Sequence, residues 1–285
     1  MIRNVAAVPA AFDAGAFWLS HFYKSTLPTP AAAGRWVDLS MGAGTPIYNA
    51  YVGSQTTATP LTGARNTSIF AGPPLTGYTR HLHSMHAMTN STGIPATLVL
   101  LDYLLAYPLV DGDNTDLQAM DNSLSLTRYA DGAGVQAMLV CTTPMTANAA
   151  VTISYTNSAG VSGRTSNSSI AFSANVGNIC SSTNTAAAGT GLSPFIPLQG
   201  GDLGIRSVDS VQLTTPSGGL FSIVLVKPLA TLGLREKSVA REIELLRDAG
   251  QMPEIKEGAF LNFIACNGGA ASLATLLGML TFIWR

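Results

Sequence analysis

The sequence predicts a mainly β protein, an antiparallel β-sandwich or barrel of jelly-roll-like character, with one late amphipathic helix and a C-terminal hairpin. Three features carry that prediction. Apolar runs of strand length are separated by Gly, Pro, Asn and Ser clusters, and several of them alternate with a period of two. The length, 285 residues, is ample for a large β core.

At the start of the chain, Pro9 and Asp13 interrupt MIRNVAAVPAAFDAG, so no secretion signal is expected. AAFDAGAFWLSHFYKS is a candidate short helix in which Phe12, Phe17, Trp18 and Phe22 crowd together, with Gly15 and the aromatics counting against it. From Thr97 to Val110 the run TLVLLDYLLAYPLV holds one acid and ends at Pro108 and a DGDN turn. It is too short to span a bilayer and reads as a core strand. VQAMLVCTT, SVQLTT and LFSIVLVKP read the same way. Val151, Ile153 and Tyr155 alternate with small polar residues before a turn at Asn157 to Gly160, which predicts strand, turn, strand. Ser166 to Gly191, rich in Ser, Asn, Thr and Ala, is read as a long loop or weak strands lying on a neighbour.

Every glutamate of the chain lies between Glu236 and Glu257. Within that window Glu236 to Ala249 is predicted to be a helix, with Val239, Ile243 and Leu246 on one stripe, Leu245 beside it, and Arg241, Glu242, Glu244 and Arg247 solvated. Gly250 suits its C-terminal cap and Pro253 blocks continuation. Ala259 to Trp284 is uncharged and long enough to raise a transmembrane helix. Asn262, Asn267, Gly268 and Gly269 divide it into AFLNFIAC and ASLATLLGMLTFIW, and an Asn-Gly step between apolar runs predicts a buried terminal hairpin instead. The expected organisation is a β-rich body with an N-terminal arm over 1–234, the charged helix and linker over 235–257, and a hairpin over 258–285 that closes the same domain.

Charged residues make up 11% of the chain, less than half of the roughly 25% expected of soluble domains. Ser, Thr, Asn and Gly must satisfy the surface through neutral hydrogen bonds, a composition suited to being covered by neighbouring subunits, so a homo-oligomer is expected. A net charge of −1 supplies no long-range field toward nucleic acid or an anionic membrane, and neither is expected as a partner. Cys141, Cys180 and Cys266 are odd in number and form no CxxC pair, which predicts buried free thiols.

His81, His83 and His86 form HLHSMH, the one constellation with metal-ligating residue types; in a strand His81 and His83 would share a face. DGDNTD, Asp111 to Asp116, has the acid spacing of a calcium loop without its closing Glu, and is read as a turn with Asx hydrogen bonds; Asp116 and Asp121 are weak cation candidates. Asp102 and Asp131 are the carboxylates that glycoside hydrolysis would need to pair, and nothing in the sequence brings them together. GAGT at Gly42 to Thr45 and GGDLG at Gly200 to Gly204 are incomplete phosphate loops and read as turns. Trp18, Trp36, Tyr48, Tyr51 and Trp284 are core or interface anchors rather than a sugar platform. The expectation is therefore no catalytic residue, no cofactor and no metal, with Trp18, Trp36, Tyr48, Tyr51, Arg241 and Arg247 as interface candidates.

Three stretches taken together, LLDYLLAYPLVDGDNTDLQAMDN, LTRYADGAGVQAMLV and VTISYTNSAGVSGRT, resemble a group of virion structural proteins of tailed bacteriophages. FLNFIACNGGAASLATLLGMLTFIW is similar to the closing hairpin of the same group. The resemblance covers Leu100 to Arg164 and Ala259 to Trp284, about half of the chain. It implies a location in the virus particle and, as preferred role, a non-enzymatic capsid decoration or cement protein whose partners are the major capsid protein or other virion proteins. A tail, neck or shell component and a host-glycan-binding module are the alternatives.

Overall fold

Where apolar residues are densest, from Thr97 to Val110, the chain forms its longest strand, Ala96–Asp111, and the remaining elements are arranged around it. The computed structural model describes residues 7–30, 34–166, 169–171, 174–180, 193–268 and 274–285. A short helix α1 (Ala7–Asp13) leads into β1 (Phe17–Thr26), so the aromatic N-terminal stretch divides into helix and strand at Gly15, which takes the left-handed φ of 66° that favours glycine. Next come β2 (Trp36–Asp38), β3 (Ala43–Thr45), β4 (Thr59–Pro60), β5 (Arg80–Met88), β6 (Ala96–Asp111), β7 (Gln118–Ala119) and β8 (Gln136–Thr143). The second half holds β9 (Ala149–Asn157), β10 (Arg164–Thr165), β11 (Ser169–Ala171), β12 (Ile205–Leu213), β13 (Leu220–Leu234) and β14 (Arg241–Glu244). After the single helical turn α2 (Leu245–Asp248), the chain ends with β15 (Glu254–Ile255), β16 (Leu261–Asn267) and β17 (Leu276–Trp284).

All strand pairings are antiparallel, as the predicted fold class requires. Sheet A has the order β14-β5-β17-β1-β3 with β15 also on β5; sheet B has β2-β16-β6-β13-β8 with β4 on β6; sheet D has β10-β9-β12-β7 with β11 on β9. Sheet B is central. One of its faces meets sheet A at one end, where Leu98, Leu100, Leu232, Leu234 and Phe263 pack with Phe22, Leu82, Met85, Leu280 and Phe282. The other end meets sheet D, with Tyr107, Leu139, Phe221 and Ile223 against Val151, Ile153, Tyr155 and Val208. Its opposite face, carrying Leu101, Tyr103, Val140 and Val226, is covered by irregular segments that bring in Tyr51, Ile179 and Phe260. Being buried on both faces explains why β6 and β13 are continuously apolar rather than alternating.

Two predicted elements are corrected. Glu236 to Ala249 is not a long helix: Arg241–Glu244 is a strand, and only Leu245–Asp248 makes a helical turn. Residues 241–244 pair with Ala87 to Ser84 on the edge of β5, and this tertiary ladder outweighs a helical propensity worth only tenths of a kcal/mol per residue. Val239 is accordingly exposed rather than part of a buried stripe. Gly250 still terminates the turn, at φ 73°.

The C-terminal pair is also not a hairpin. Both strands exist, yet β16 pairs with β2 and β6 in sheet B, whereas β17 inserts between β1 and β5 in sheet A. Each strand is buried and needs two neighbours, which a two-stranded hairpin would not supply. The backbone at the Asn-Gly step is taken up elsewhere: Gly268 N–H donates to Pro95 O at 2.7 Å, and Asn267 O accepts from Gly34 N at 2.9 Å. Residues 181–192, the centre of the predicted Ser166 to Gly191 loop, lie outside the described residues, while Asn175 to Cys180 borders sheet B by bridges such as Val140 to Ile179.

Candidate interaction surface

Sheet A has an inner face in the core and an outer face that α1 covers at one end only, where the Phe12 ring lies 5.2 Å from Phe17 and 5.5 Å from His83. Beyond α1, register sets the outward rows: Leu19, Thr281 and Ser84; His21, Met279 and His86; Tyr23, Leu277 and Met88. Leu19 and Tyr23 are 43% and 48% exposed. Leu277, Met279 and Met88 are half-buried next to them, while Thr281 and Ser84 are buried, so the exposed apolar side chains of this face form a candidate interaction surface.

A second exposed cluster stands on the other side of β1. Ile47, Tyr48 and Val52 point outward from a loop whose fifth member, Tyr51, is turned inward at φ 47°. Tyr51 donates its hydroxyl proton to Asp38 Oδ2, and Ser40 Oγ lies 3.1 Å from the same hydroxyl. Asp38 Oδ1 accepts from Tyr103 OH at 2.7 Å and from Ser40 N–H at 2.9 Å. Burial raises the Asp38 carboxyl above its ordinary range, and these hydrogen bonds act the other way. Lys24, reaching in from β1, donates to Gly42 O at 3.0 Å and Pro46 O at 2.7 Å. Burial lowers its ammonium to about 8, the Asp38 charge opposing. Tyr51 and Lys24 fasten the loop to β2 and β1, whereas the Tyr103 bond to Asp38 ties β6 to β2 within sheet B. Tyr51 is therefore corrected from interface anchor to buried pillar, and Tyr48 remains on the surface.

Arg241 and Arg247, each an interface candidate from the sequence, are joined by Arg235. They border a trough of about 390 Å³ between the end of β13 and β14. Arg247 is held by Asp248, with Nε to Oδ1 at 2.8 Å and Nη2 to Oδ2 at 3.1 Å. Trp18 faces inward at the rim, its ring edge-on to Phe70 at 5.9 Å, with the Arg65 guanidinium over it. Trp36 is partly buried against the covered face of sheet B, and Trp284 lies under Arg80 at 6.0 Å. None of these tryptophans is a free-standing anchor.

The remaining candidates are structural. His81, His83 and His86 are strung along β5, and among the described residues no three His, Cys, Asp or Glu side chains converge on a metal position. Burial lowers the His83 imidazole below its ordinary value although Glu244 lies 3.7 Å away. In DGDNTD, Asp111 and Asn114 each accept a backbone N–H two residues on, at 2.9 Å, the Asx turns the sequence suggests, and Asp121 does so for Ser123 at 2.8 Å. Asp102 is fully buried against Arg128, whereas Asp131 caps its own turn through Ala133 N–H, so the two form no carboxylate pair. Cys141 and Cys180 are buried free thiols, and Cys266 is partly covered.

Sequence reading missed the anchor inside GGDLG. Asp202 accepts from Tyr155 OH at 2.6 Å, Asn157 Nδ2 at 2.7 Å and Arg164 Nε at 3.0 Å, tying its loop to sheet D. Those hydrogen bonds, Arg164 first, lower its carboxyl to about 2. No family model, curated protein or solved structure matches the chain.

Proposed function

We propose that this chain is a non-enzymatic structural protein of a tailed-bacteriophage particle, a decoration or cement protein that stabilises the capsid by laying the outer face of sheet A on the shell. The observation that carries this reading is the outer face of sheet A, where Leu19 and Tyr23 are exposed and Leu277, Met279 and Met88 are half-buried beside them. A preformed β surface loses little conformational entropy on docking, and repetition over a symmetric shell adds small per-copy energies. The sparse surface charge and the use of Lys24, Asp38, Asp102 and Arg128 in internal bonds fit an assembly role better than chemistry.

The test is reconstitution. Purified protein added to heads that lack it should bind in a copy number matching the shell lattice and raise the temperature at which the heads rupture. Leu19→Asp together with Tyr23→Asp, both exposed, should abolish binding without unfolding the protein. Failure to bind, with heads lacking the protein equally robust, overturns the decoration role; a copy number matching a single ring moves the protein to tail or neck.

A further inference from the structure

We infer that the trough between β13 and β14 receives an extended acidic segment of a partner protein as an added β-strand. β8 pairs with β13 only from Leu220 to Val226, whereas β6 accompanies β13 on its other side as far as Leu234. Lys227 to Leu234 therefore presents one edge with no ladder partner among the described residues. Among the described residues β14 pairs with β5 alone, and Thr231 to Gly233 of β13 and Arg241 to Ile243 of β14 border the same trough. A chain lying in line with β8 meets the open main-chain donors and acceptors of β13, the geometry by which exposed sheet edges capture peptides, while β14 lines the trough beside it.

Proteins normally guard such an edge with lysine, proline or an inward charge. Lys227 and Pro228 stand at the start of this edge, and no such guard follows over Leu229-Ala-Thr-Leu-Gly-Leu234. Leu232 and Leu234 point into the core, Thr231 and Gly233 are exposed, and a side chain added at Gly233 would meet nothing within 4 Å.

Charge selects the occupant. Arg235, Arg241 and Arg247 line the trough against Glu242 and Asp248. Asp248 is spent on Arg247, while Arg235 and Arg241 form no ion pair among the described residues. Two free guanidinium groups beside an unpaired strand edge fit carboxylate side chains on an extended peptide, which arginine binds with paired N–H donors. This inference is independent of what sheet A docks against.

The probe is a fluorescent, acetylated octapeptide, Thr-Glu-Val-Glu-Thr-Glu-Val-Glu, titrated by anisotropy onto the full chain, with hydrogen exchange read at the amides of 229–234 and 241–243. Binding is expected together with slowed exchange in both segments. Arg235→Gln with Arg241→Gln should weaken it about tenfold or more, the loss of charge-assisted hydrogen bonds. Thr231→Lys, which places an edge guard at an exposed position, should weaken it without altering the melting temperature. The same peptide with Lys for Glu, or with Pro at each Val, should not bind. Equal binding of those controls, protection elsewhere on the protein, or binding of inorganic polyphosphate alone without edge protection would each overturn the inference, as would no binding of the acidic probe.

Discussion

Arg128 holds both carboxylate oxygens of Asp102, Nε to Oδ2 at 3.0 Å and Nη2 to Oδ1 at 2.8 Å, at the point where β6 exchanges one neighbour for another. β16 accompanies β6 up to the pair Leu261 with Asp102, and β4 takes over at Pro60 with Leu105. Nη2 also donates to Leu61 O and Tyr103 O, each at 2.9 Å, so the guanidinium fills the gap between the two strands. Burial raises the Asp102 carboxyl, opposed chiefly by Arg128.

Arg128→Met should therefore destabilise the protein by about 3–5 kcal/mol, because it strands a buried carboxylate and the two backbone carbonyls of Leu61 and Tyr103. Adding Asp102→Leu should return a large part of that loss. Urea denaturation of the two variants measures both effects, and an equal cost for single and double variants contradicts the assignment.

The Asp38 cluster makes a graded prediction. Tyr103→Phe and Tyr51→Phe each remove one hydrogen bond to a buried carboxylate and should cost about 1.5–3 kcal/mol. Only Tyr51→Phe should also loosen the loop that carries Ile47, Tyr48 and Val52. Limited proteolysis within 46–53 should therefore quicken in Tyr51→Phe at temperatures where Tyr103→Phe is still resistant.

Lys24 gives a pH signature. Its folded value, about 8, lies below the ordinary 10.5, so between those limits the unfolded chain binds the extra proton. Stability contributed by this group rises with pH across that window, at most about 1.4 kcal/mol per pH unit. Comparing the wild type with Lys24→Met isolates it, since the raised thiols of Cys141 and Cys180 titrate in both. The difference in stability between the two proteins should shift in favour of wild type from pH 8 to 10, and a constant difference contradicts a buried neutralisable lysine.

At the end of the chain, Leu276 and Phe282 are both fully buried in the sheet A core. Leu276→Ala should cost about 2–5 kcal/mol and Phe282→Ala about 3–5 kcal/mol by calorimetry or denaturant. A change within about half a kcal/mol would place either side chain at the surface.

The long strands were legible because their signal is local: Thr97 to Val110 carries its own apolar density, and Val151, Ile153 and Tyr155 their own alternation. What failed was partnership. The Asn267-Gly268 step is a local hairpin cue, but β17 is claimed by β1 and β5, which lie far away in sequence. Val239, Ile243 and Leu246 have helical spacing, yet the open edge of β5 recruits Arg241–Glu244 as strand. The lone acid in LLDYLL was a readable sign of a buried partner; that the partner is Arg128 was not, since no pattern links the two positions. Arg241 and Arg247 were legible as solvated interface candidates, whereas Arg235 and the bare edge of β13 appear only once β8 is seen to stop at Val226.

The crossing of the last two strands into different sheets has a bearing on biosynthesis. Sheet D draws all its strands from the stretch between Gln118 and Leu213, so it can assemble while downstream residues are still being made. Sheet A has β17 in its middle, and β1, translated early, has no long neighbour until β17 emerges. During that interval the apolar side of β1 is open to other chains, and loop closure across so many residues is slow. On the ribosome, the nascent protein passes through a state with one finished end and one waiting end, and the waiting end is where chaperone capture or premature pairing between neighbouring nascent chains would occur.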